Sequence, residues 1–143
     1  VAIKYAIKDD HYQTITIPGE TQELPLEVLV MKMTSKPPHC NNVLQLLEWF
    51  DIDDEIVMVL ERPSPCMNVW DFTNLQNGRL SAAQTREIMV QVVRVARHCS
   101  DCGVLHRDIK PEDLLINPDT MEVKLRTNPT HILQVISWDR IEH

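Results

Sequence analysis

The chain has 143 residues, a length typical of one domain or of part of one. Its 14 Lys and Arg against 21 Asp and Glu give a formal net charge of −7, and the basic residues are scattered singly, which argues against a nucleic-acid partner. No apolar run approaches the roughly 18 residues of a membrane span, so no membrane association is predicted. Four cysteines without a secretory signal predict reduced thiols and a location in the cytoplasm or nucleus.

The N-terminal part of the chain is predicted to be mostly strand with one helix. The predicted strands cover residues 1–7, 15–17, 43–50 and 56–60, and the predicted helix covers residues 24–33. Apolar residues 26, 29, 30 and 33 recur at helical spacing, so we expect one face of this helix to be buried. Because the chain starts at Val1, inside an apolar run, we expect the sequence to be a fragment of a longer protein.

Pro63 and Pro65 end the last of these strands, because proline cannot donate a backbone hydrogen bond. Beyond them the pattern predicts helices at 69–75 and 81–102 and strands at 114–116 and 122–125. The long helix has Ser81 and Gln84 at capping-box spacing. Its predicted buried stripe consists of Ile88, Val92, Val95 and Cys99. The predicted fold is therefore α+β, in two lobes.

Residues 106–113, with the sequence HRDIKPED, lie directly after the long helix and before a short strand. The segment resembles the catalytic loop of protein kinases, H-R-D-L-x-x-x-N. This resemblance implies that Asp108 orients the substrate hydroxyl and that Lys110 holds the transferred phosphate. The alternative is a polar turn that only satisfies backbone groups, but the preceding helix and the motifs below favour the kinase.

Val1-Ala2-Ile3-Lys4 resembles the V-A-I-K motif of the third strand in the small lobe of kinases. The resemblance implies that Lys4 contacts the α- and β-phosphates of ATP and pairs with a glutamate of the next helix. Glu27 lies inside the predicted helix at residues 24–33 and is the candidate partner. Taken alone, the four residues would equally fit a strand whose lysine points to water.

Leu60-Glu61-Arg62-Pro63 lies where a kinase has the hinge between its lobes. It is similar to the Glu-Arg-Pro hinge of the Pim family of serine/threonine kinases, where the proline removes a backbone donor to adenine. This resemblance implies that adenine binds the Glu61 carbonyl, with Ala2 above, Leu115 below and Leu60 as gatekeeper. Residues 47–50 and 97–108 also resemble Pim kinases, and the resemblance covers residues 1–125.

Pim kinases favour basic protein substrates, whose arginines are read by acidic side chains. The resemblance implies this role for Asp71 and Glu112, whereas Asn68 stands where another aspartate is expected. The alternative is that both residues are solvated surface carboxylates with no such role.

The sequence departs from the kinase pattern at its metal ligands. Asp113 replaces the asparagine that binds a second Mg²⁺, although a carboxylate can also bind this ion. In place of Asp-Phe-Gly and the residue before it, the chain has Arg126-Thr127-Asn128-Pro129. Threonine cannot supply the charge of the missing aspartate, and Pro129 removes a flexible glycine. The Gly-rich loop that covers ATP in kinases is also missing from the sequence.

These observations predict a degenerate kinase chain in three parts. Residues 1–62 would be a small-lobe remnant with the hinge, 63–125 the start of the large lobe with the catalytic loop, and 126–143 a divergent tail. The expected activity is transfer of the ATP γ-phosphate, with Mg²⁺, to Ser/Thr of basic protein substrates, and we expect it to be impaired. The alternative is a catalytically dead binding module or a non-functional product.

Two further expectations concern the surface of the chain. The strand at residues 1–7 leaves an open edge, which predicts self-association. A zinc site at Cys99 and Cys102 is a third interpretation, but no second Cys pair completes a tetrahedral ligand set. We therefore expect these cysteines to pack at the end of the long helix.

Overall fold

The computed structural model describes residues 1–17, 21, 23–126 and 134–135. Its strands are β1 (Ala2–Ile7), β2 (Thr14–Thr16), β3 (Glu23–Pro25), β4 (Leu46–Ile52), β5 (Glu55–Leu60), β6 (Met67–Asn68), β7 (Val104–Leu105), β8 (Leu114–Ile116), β9 (Val123–Leu125) and β10 (Gln134–Val135). Its α-helices are α1 (Leu26–Thr34), α2 (Val69–Leu75) and α3 (Ala82–Asp101), and a 3-10 turn covers Pro111–Asp113. The predicted α+β class is confirmed. Most of the predicted tail at 126–143 lies outside the described residues.

The first sheet has the order β1-β5-β4 with antiparallel neighbours. β1 alternates, so that Lys4 lies on the half-buried face while Ile3 and Tyr5 are exposed on the other. Strands β4 and β5 form an antiparallel hairpin, and its first strand covers Leu46–Ile52 rather than the predicted residues 43–50. Asp53 adopts a positive φ of 47° in the turn, which lets pairing continue to Ile52.

Helix α1 is buried on nearly all sides. The predicted face at residues 26, 29, 30 and 33 is buried, and the other side of the helix is buried as well. Val28 and Met31 pack against the first sheet, while Leu29 and Val30 pack into a second core. The helix also begins later than predicted. Residues 23–25 form β3, which pairs with β2, and leave Pro25 as the N-cap rather than a first-turn residue.

Helix α3 confirms the predicted capping box. The Ser81 hydroxyl accepts a hydrogen bond from the Gln84 backbone N–H at 3.1 Å, and the Gln84 side chain accepts one from the Ser81 N–H at 2.9 Å. Three residues of the predicted stripe are buried and the fourth is partly buried. The helix ends at Asp101, and Cys102 is its C-cap. Gly103 follows with a φ of 81°, which favours glycine.

One hydrophobic core extends across both predicted lobes. It joins Leu29 and Val30 of α1 to Val95 of α3 and to Ile116 and Leu125 of the C-terminal strands. Residues on both sides of Pro63 share this core, so the predicted division of the chain between residues 62 and 63 stays a prediction.

None of the helices in the described ranges is long and apolar enough to cross a membrane.

Polar contacts reinforce this shared core. The buried Asn42 side chain donates to the Val123 carbonyl at 2.7 Å and to Gln91 Oε1 at 2.9 Å. His98 of α3 donates through Nε2 to the Thr34 carbonyl at the end of α1, at 2.8 Å. These contacts fix α1 and β9 relative to α3 and so position the residues that the sequence analysis identified.

Candidate functional site

Lys4 and Glu27 form an ion pair between β1 and the first turn of α1. Lys4 Nζ lies 2.5 Å from Glu27 Oε1, and the two side chains are 30% and 6% exposed. The predicted contact between them is confirmed. The second carboxylate oxygen, Oε2, is buried and has no hydrogen-bond partner among the described residues. Part of the Glu27 charge therefore lacks local compensation.

Burial raises the pKa of the Glu27 carboxyl above its ordinary value of 4.5. The charge of Lys4 and its hydrogen bond oppose this increase, and the Arg126 guanidinium opposes it to a smaller degree. Desolvation is the largest of these effects because the helix is enclosed by the sheet on one side and the shared core on the other. The ion pair therefore compensates the burial of Glu27 only in part.

The catalytic-loop segment places Asp108 and Lys110 beside each other. Lys110 Nζ lies 3.0 Å from Asp108 Oδ2, and both side chains are more than one third exposed. The hydrogen bond to Asp108 raises the pKa of Lys110, and the charges of Asp108, Asp113 and Glu112 act in the same direction. Both side chains are accessible to a ligand.

The backbone of this segment is held in an uncommon conformation. Arg107 has a φ of 65°, and the Asp108 N–H donates to the His106 carbonyl at 2.9 Å. The His106 ring is buried, and within the described ranges neither ring nitrogen has a hydrogen-bond partner. The turn directs the Asp108 side chain towards solvent while the preceding histidine packs inward.

Asp113 is almost fully buried and faces Arg126. Its Oδ1 lies 3.6 Å from the Arg126 guanidinium, and its side chain is 3% exposed. The Arg126 N–H also donates to the Asp113 carbonyl at 2.8 Å. Arg126 departs from the kinase pattern in the sequence, but its pair with Asp113 was not predicted. The expected role of Asp113 as a magnesium ligand stays a prediction.

The residues predicted to contact adenine are brought together. Ala2 lies opposite Leu60 in the β1–β5 register, and both Ala2 and Leu115 pack against the cluster that contains Leu60. Ala2 and Leu115 are partly buried, and Leu60 is buried. Their role towards adenine stays a prediction.

Glu61 of the hinge makes an ion pair that was not predicted. Lys124 Nζ lies 2.9 Å from Glu61 Oε1, with side-chain exposures of 16% and 26%. The sequence of β9 does indicate the direction of the lysine. Lys124 lies between the buried Val123 and Leu125, and because side chains alternate along a strand, it must point away from the core. The pair links the hinge directly to the strand that precedes Arg126.

The two residues predicted to read basic substrates lie on neighbouring elements, since α2 packs against the 3-10 turn. Asp71 is exposed, and its carboxylate accepts a hydrogen bond from Asn68 Nδ2 at 2.8 Å. Asn68 in turn caps α2 by accepting the Asp71 N–H at 2.7 Å. Glu112 is exposed in the turn. These contacts give Asp71 a structural role at the start of α2, and its role in substrate binding stays a prediction.

The cysteines at the end of α3 do not form a metal centre in the described part of the chain, where no group of three or more candidate ligands occurs. Burial raises the pKa of Cys99 to about 12. A thiol with this pKa is protonated at neutral pH and is a poor zinc ligand.

Comparison with known proteins gives a consistent picture. The family described as protein kinase domain matches residues 1–126. Serine/threonine-protein kinase pim-2 of Danio rerio is 31% identical over 131 residues, covering 87% of this chain and 42% of its own length. Serine/threonine-protein kinase prk-2 of Caenorhabditis elegans is 32% identical over 125 residues, which are 87% of this chain and 27% of that protein. The chain thus spans less than half the length of these two relatives.

Proposed function

The chain belongs to the protein kinase domain family, with serine/threonine kinases among its relatives, and we propose that it is a Pim-like member that retains a nucleotide site. We propose in addition that its phosphoryl transfer is impaired. The Lys4–Glu27 ion pair at 2.5 Å is the observation that carries the proposal. This pair is what a kinase needs to hold a lysine beside the nucleotide phosphates.

The nucleotide site that we propose has an apolar part and a charged part. Adenine would lie between Ala2 and Leu115, with Leu60 behind it and the Glu61 carbonyl as acceptor. Pro63 supports a Pim-like binding mode, because it cannot donate a backbone hydrogen bond to the base. Lys4 is 30% exposed and can reach a phosphate without leaving its strand. ATP would supply the transferable phosphoryl group.

In the catalytic loop, Asp108 would accept a hydrogen bond from the hydroxyl of a Ser or Thr substrate and orient its oxygen. Lys110 would stabilise negative charge on the phosphate. Their separation of 3.0 Å and their exposure support these roles. Thr127 supports the proposed impairment, because it replaces the carboxylate that kinases use to bring a metal to the phosphates.

The substrates that we propose are basic Ser/Thr proteins, read by Asp71 and Glu112. Both carboxylates are exposed on adjoining elements, which supports this role. A location in the cytoplasm or nucleus is part of the same proposal, and it is supported by the four cysteines, which form no disulfide within the described residues.

A second candidate function is a binding module without catalysis. The specific observation that favours it is the position of β1 at one edge of the first sheet, with exposed Ile3, Tyr5 and Ile7. A strand edge with apolar neighbours can pair with another chain, and a second copy is the partner that we propose.

Binding of the fluorescent nucleotide mant-ADP tests the nucleotide site. We expect saturable binding to the unmodified chain and a loss of about tenfold or more in affinity for Lys4→Met. Lys8→Met is the matched control, since Lys8 follows the same strand but pairs with the exposed Asp51. Circular dichroism verifies that both variants fold. Equal affinity of the two variants would contradict the proposal.

Transfer of labelled γ-phosphate to a basic Ser/Thr peptide tests the proposed impairment. We expect no transfer above background, because each lost electrostatic contact costs about 10²–10³ in rate. The control is Asp108→Asn, which should give the same background. Transfer by the unmodified chain that disappears in Asp108→Asn would show that the chain is an active kinase.

A further inference from the structure

Three carboxylates of the proposed nucleotide and catalytic site each lie beside a cation. The three pairs are Lys4 with Glu27 at 2.5 Å, Lys110 with Asp108 at 3.0 Å and Arg126 with Asp113 at 3.6 Å. The formal charges of the six groups sum to zero. A divalent metal ion needs unneutralised anionic ligands, so this arrangement is poorly suited to hold one.

Arg126 is fixed beside Asp113 by more than its charge. Its backbone N–H donates to the Asp113 carbonyl at 2.8 Å, and its guanidinium donates to the Glu112 carbonyl at 3.4 Å. Arg126 directly follows β9, which is held by Lys124 at the hinge and by Asn42 in the core. The guanidinium therefore approaches the carboxylate from a well-packed strand.

The residues do not fit Mg²⁺. This ion requires about six oxygen ligands in octahedral geometry and is usually held by one or two carboxylates. The one nearly buried carboxylate of the loop, Asp113, faces a permanent cation, because arginine does not lose its proton in proteins. The sequence offers Thr127 where kinases have their principal aspartate ligand.

We propose that the Arg126 guanidinium takes the place of a divalent cation at Asp113 and excludes the metal from the site. This inference concerns the same site as the proposed function and rests on it only for the nucleotide. Arginine also binds phosphate oxygens well, through its planar set of N–H donors. Nucleotide binding to this chain is then independent of Mg²⁺.

Binding of Mn²⁺, followed by electron paramagnetic resonance, tests the exclusion of metal directly. We expect no site-bound Mn²⁺ on the unmodified chain and one bound ion on Arg126→Gln, which removes the charge but keeps a hydrogen-bond donor. Adding Asp113→Asn should abolish that binding. Arg97→Ala, which alters an arginine whose side chain is 84% exposed, is the control and should behave like the unmodified chain.

Two results would overturn the inference. One is Mn²⁺ bound to the unmodified chain and lost in Asp113→Asn. The other is the absence of bound Mn²⁺ from both Arg126→Gln and Arg126→Ala, with circular dichroism showing that the variants are folded. In the second case Arg126 is not the group that keeps the metal out.

Mant-ADP titrations with Mg²⁺ and with EDTA separate this inference from the proposed function. We expect the two dissociation constants of the unmodified chain to agree within about twofold. An increase in affinity of about tenfold or more with Mg²⁺ would overturn the inference. If mant-ADP binds under neither condition, the proposed nucleotide site is wrong, and the Mn²⁺ experiment still decides the role of Arg126.

Discussion

Lys4 and Lys8 belong to the same stretch of chain, yet one pairs with a buried carboxylate and the other with an exposed one. Lys4 contacts Glu27, whose side chain is 6% exposed, whereas Lys8 contacts Asp51, whose side chain is 57% exposed. The same type of interaction is therefore present in two very different solvent environments. Their energetic contributions should differ accordingly.

Lys4→Met should destabilise the fold by about 2–3 kcal/mol, because it leaves the Glu27 carboxylate buried without its partner. The value is below that of a fully buried pair, since Lys4 itself is partly exposed. Lys8→Met should leave the free energy of unfolding unchanged within error. Urea denaturation of both variants measures the difference. Equal destabilisation would mean that burial of Glu27 is unimportant for the pair.

Glu27 should make the fold less stable as pH rises. Its pKa is raised in the folded state, so above pH 4.5 the folded chain binds more protons at this carboxyl than the unfolded chain does. The free energy of unfolding then falls as pH rises through the raised pKa, and the contribution is largest below 4.5. Lys4 and Arg126, the cations that act on this carboxyl, limit the size of the effect.

Glu27→Gln is the variant that isolates this contribution, because it cannot ionise. The stability of the unmodified chain relative to Glu27→Gln should decrease as pH rises from acid to neutral, measured by urea denaturation at each pH. A relative increase over the same range would show that Lys4 lowers the pKa of Glu27 by more than burial raises it.

Asn42→Ala should destabilise the fold by about 2–3 kcal/mol, because it leaves the Val123 carbonyl without its hydrogen bond. Asn41→Ala is the control, since the neighbouring Asn41 is exposed. Thermal and urea denaturation report the change. If the two variants have the same stability, the buried amide contacts contribute no more than surface ones.

The isolated chain should self-associate through the edge of β1. Size-exclusion chromatography should show elution that depends on concentration, and Ile3→Lys should shift it towards the monomer, because a charge on an edge strand opposes pairing. Val93→Lys places the same charge on an exposed apolar residue of α3 and serves as the control. A monomeric chain with a sharp, cooperative melt would contradict this prediction.

Local sequence signals predicted some elements with high accuracy. α2 and β8 have the predicted bounds, and the capping box of α3 was found because Ser81 and Gln84 act on neighbouring backbone groups. The short strands β3, β6 and β7 were not predicted. Each has two or three residues, and its conformation depends on pairing with a partner elsewhere in the chain.

The contacts of the candidate site were predictable only in part. Motif spacing indicated the Lys4–Glu27 contact, because both residues belong to a recurring strand and helix arrangement. The Arg126–Asp113 pair could not be predicted, because it requires β9 to end beside the 3-10 turn. That juxtaposition follows from tertiary packing, and no local pattern around residue 126 encodes it.

Helix α1 is attached to its surroundings near both of its ends. His98 holds its C-terminal end at Thr34, and the ion pair holds Glu27 in its first turn, seven residues or about 10 Å away along the axis. A rotation of roughly 10° about the Thr34 end would displace the Glu27 end by about 2 Å, given that length. Such a tilt would separate a pair whose atoms are now 2.5 Å apart. Whether Lys4 is engaged with Glu27 is thus tied to the orientation of the whole helix.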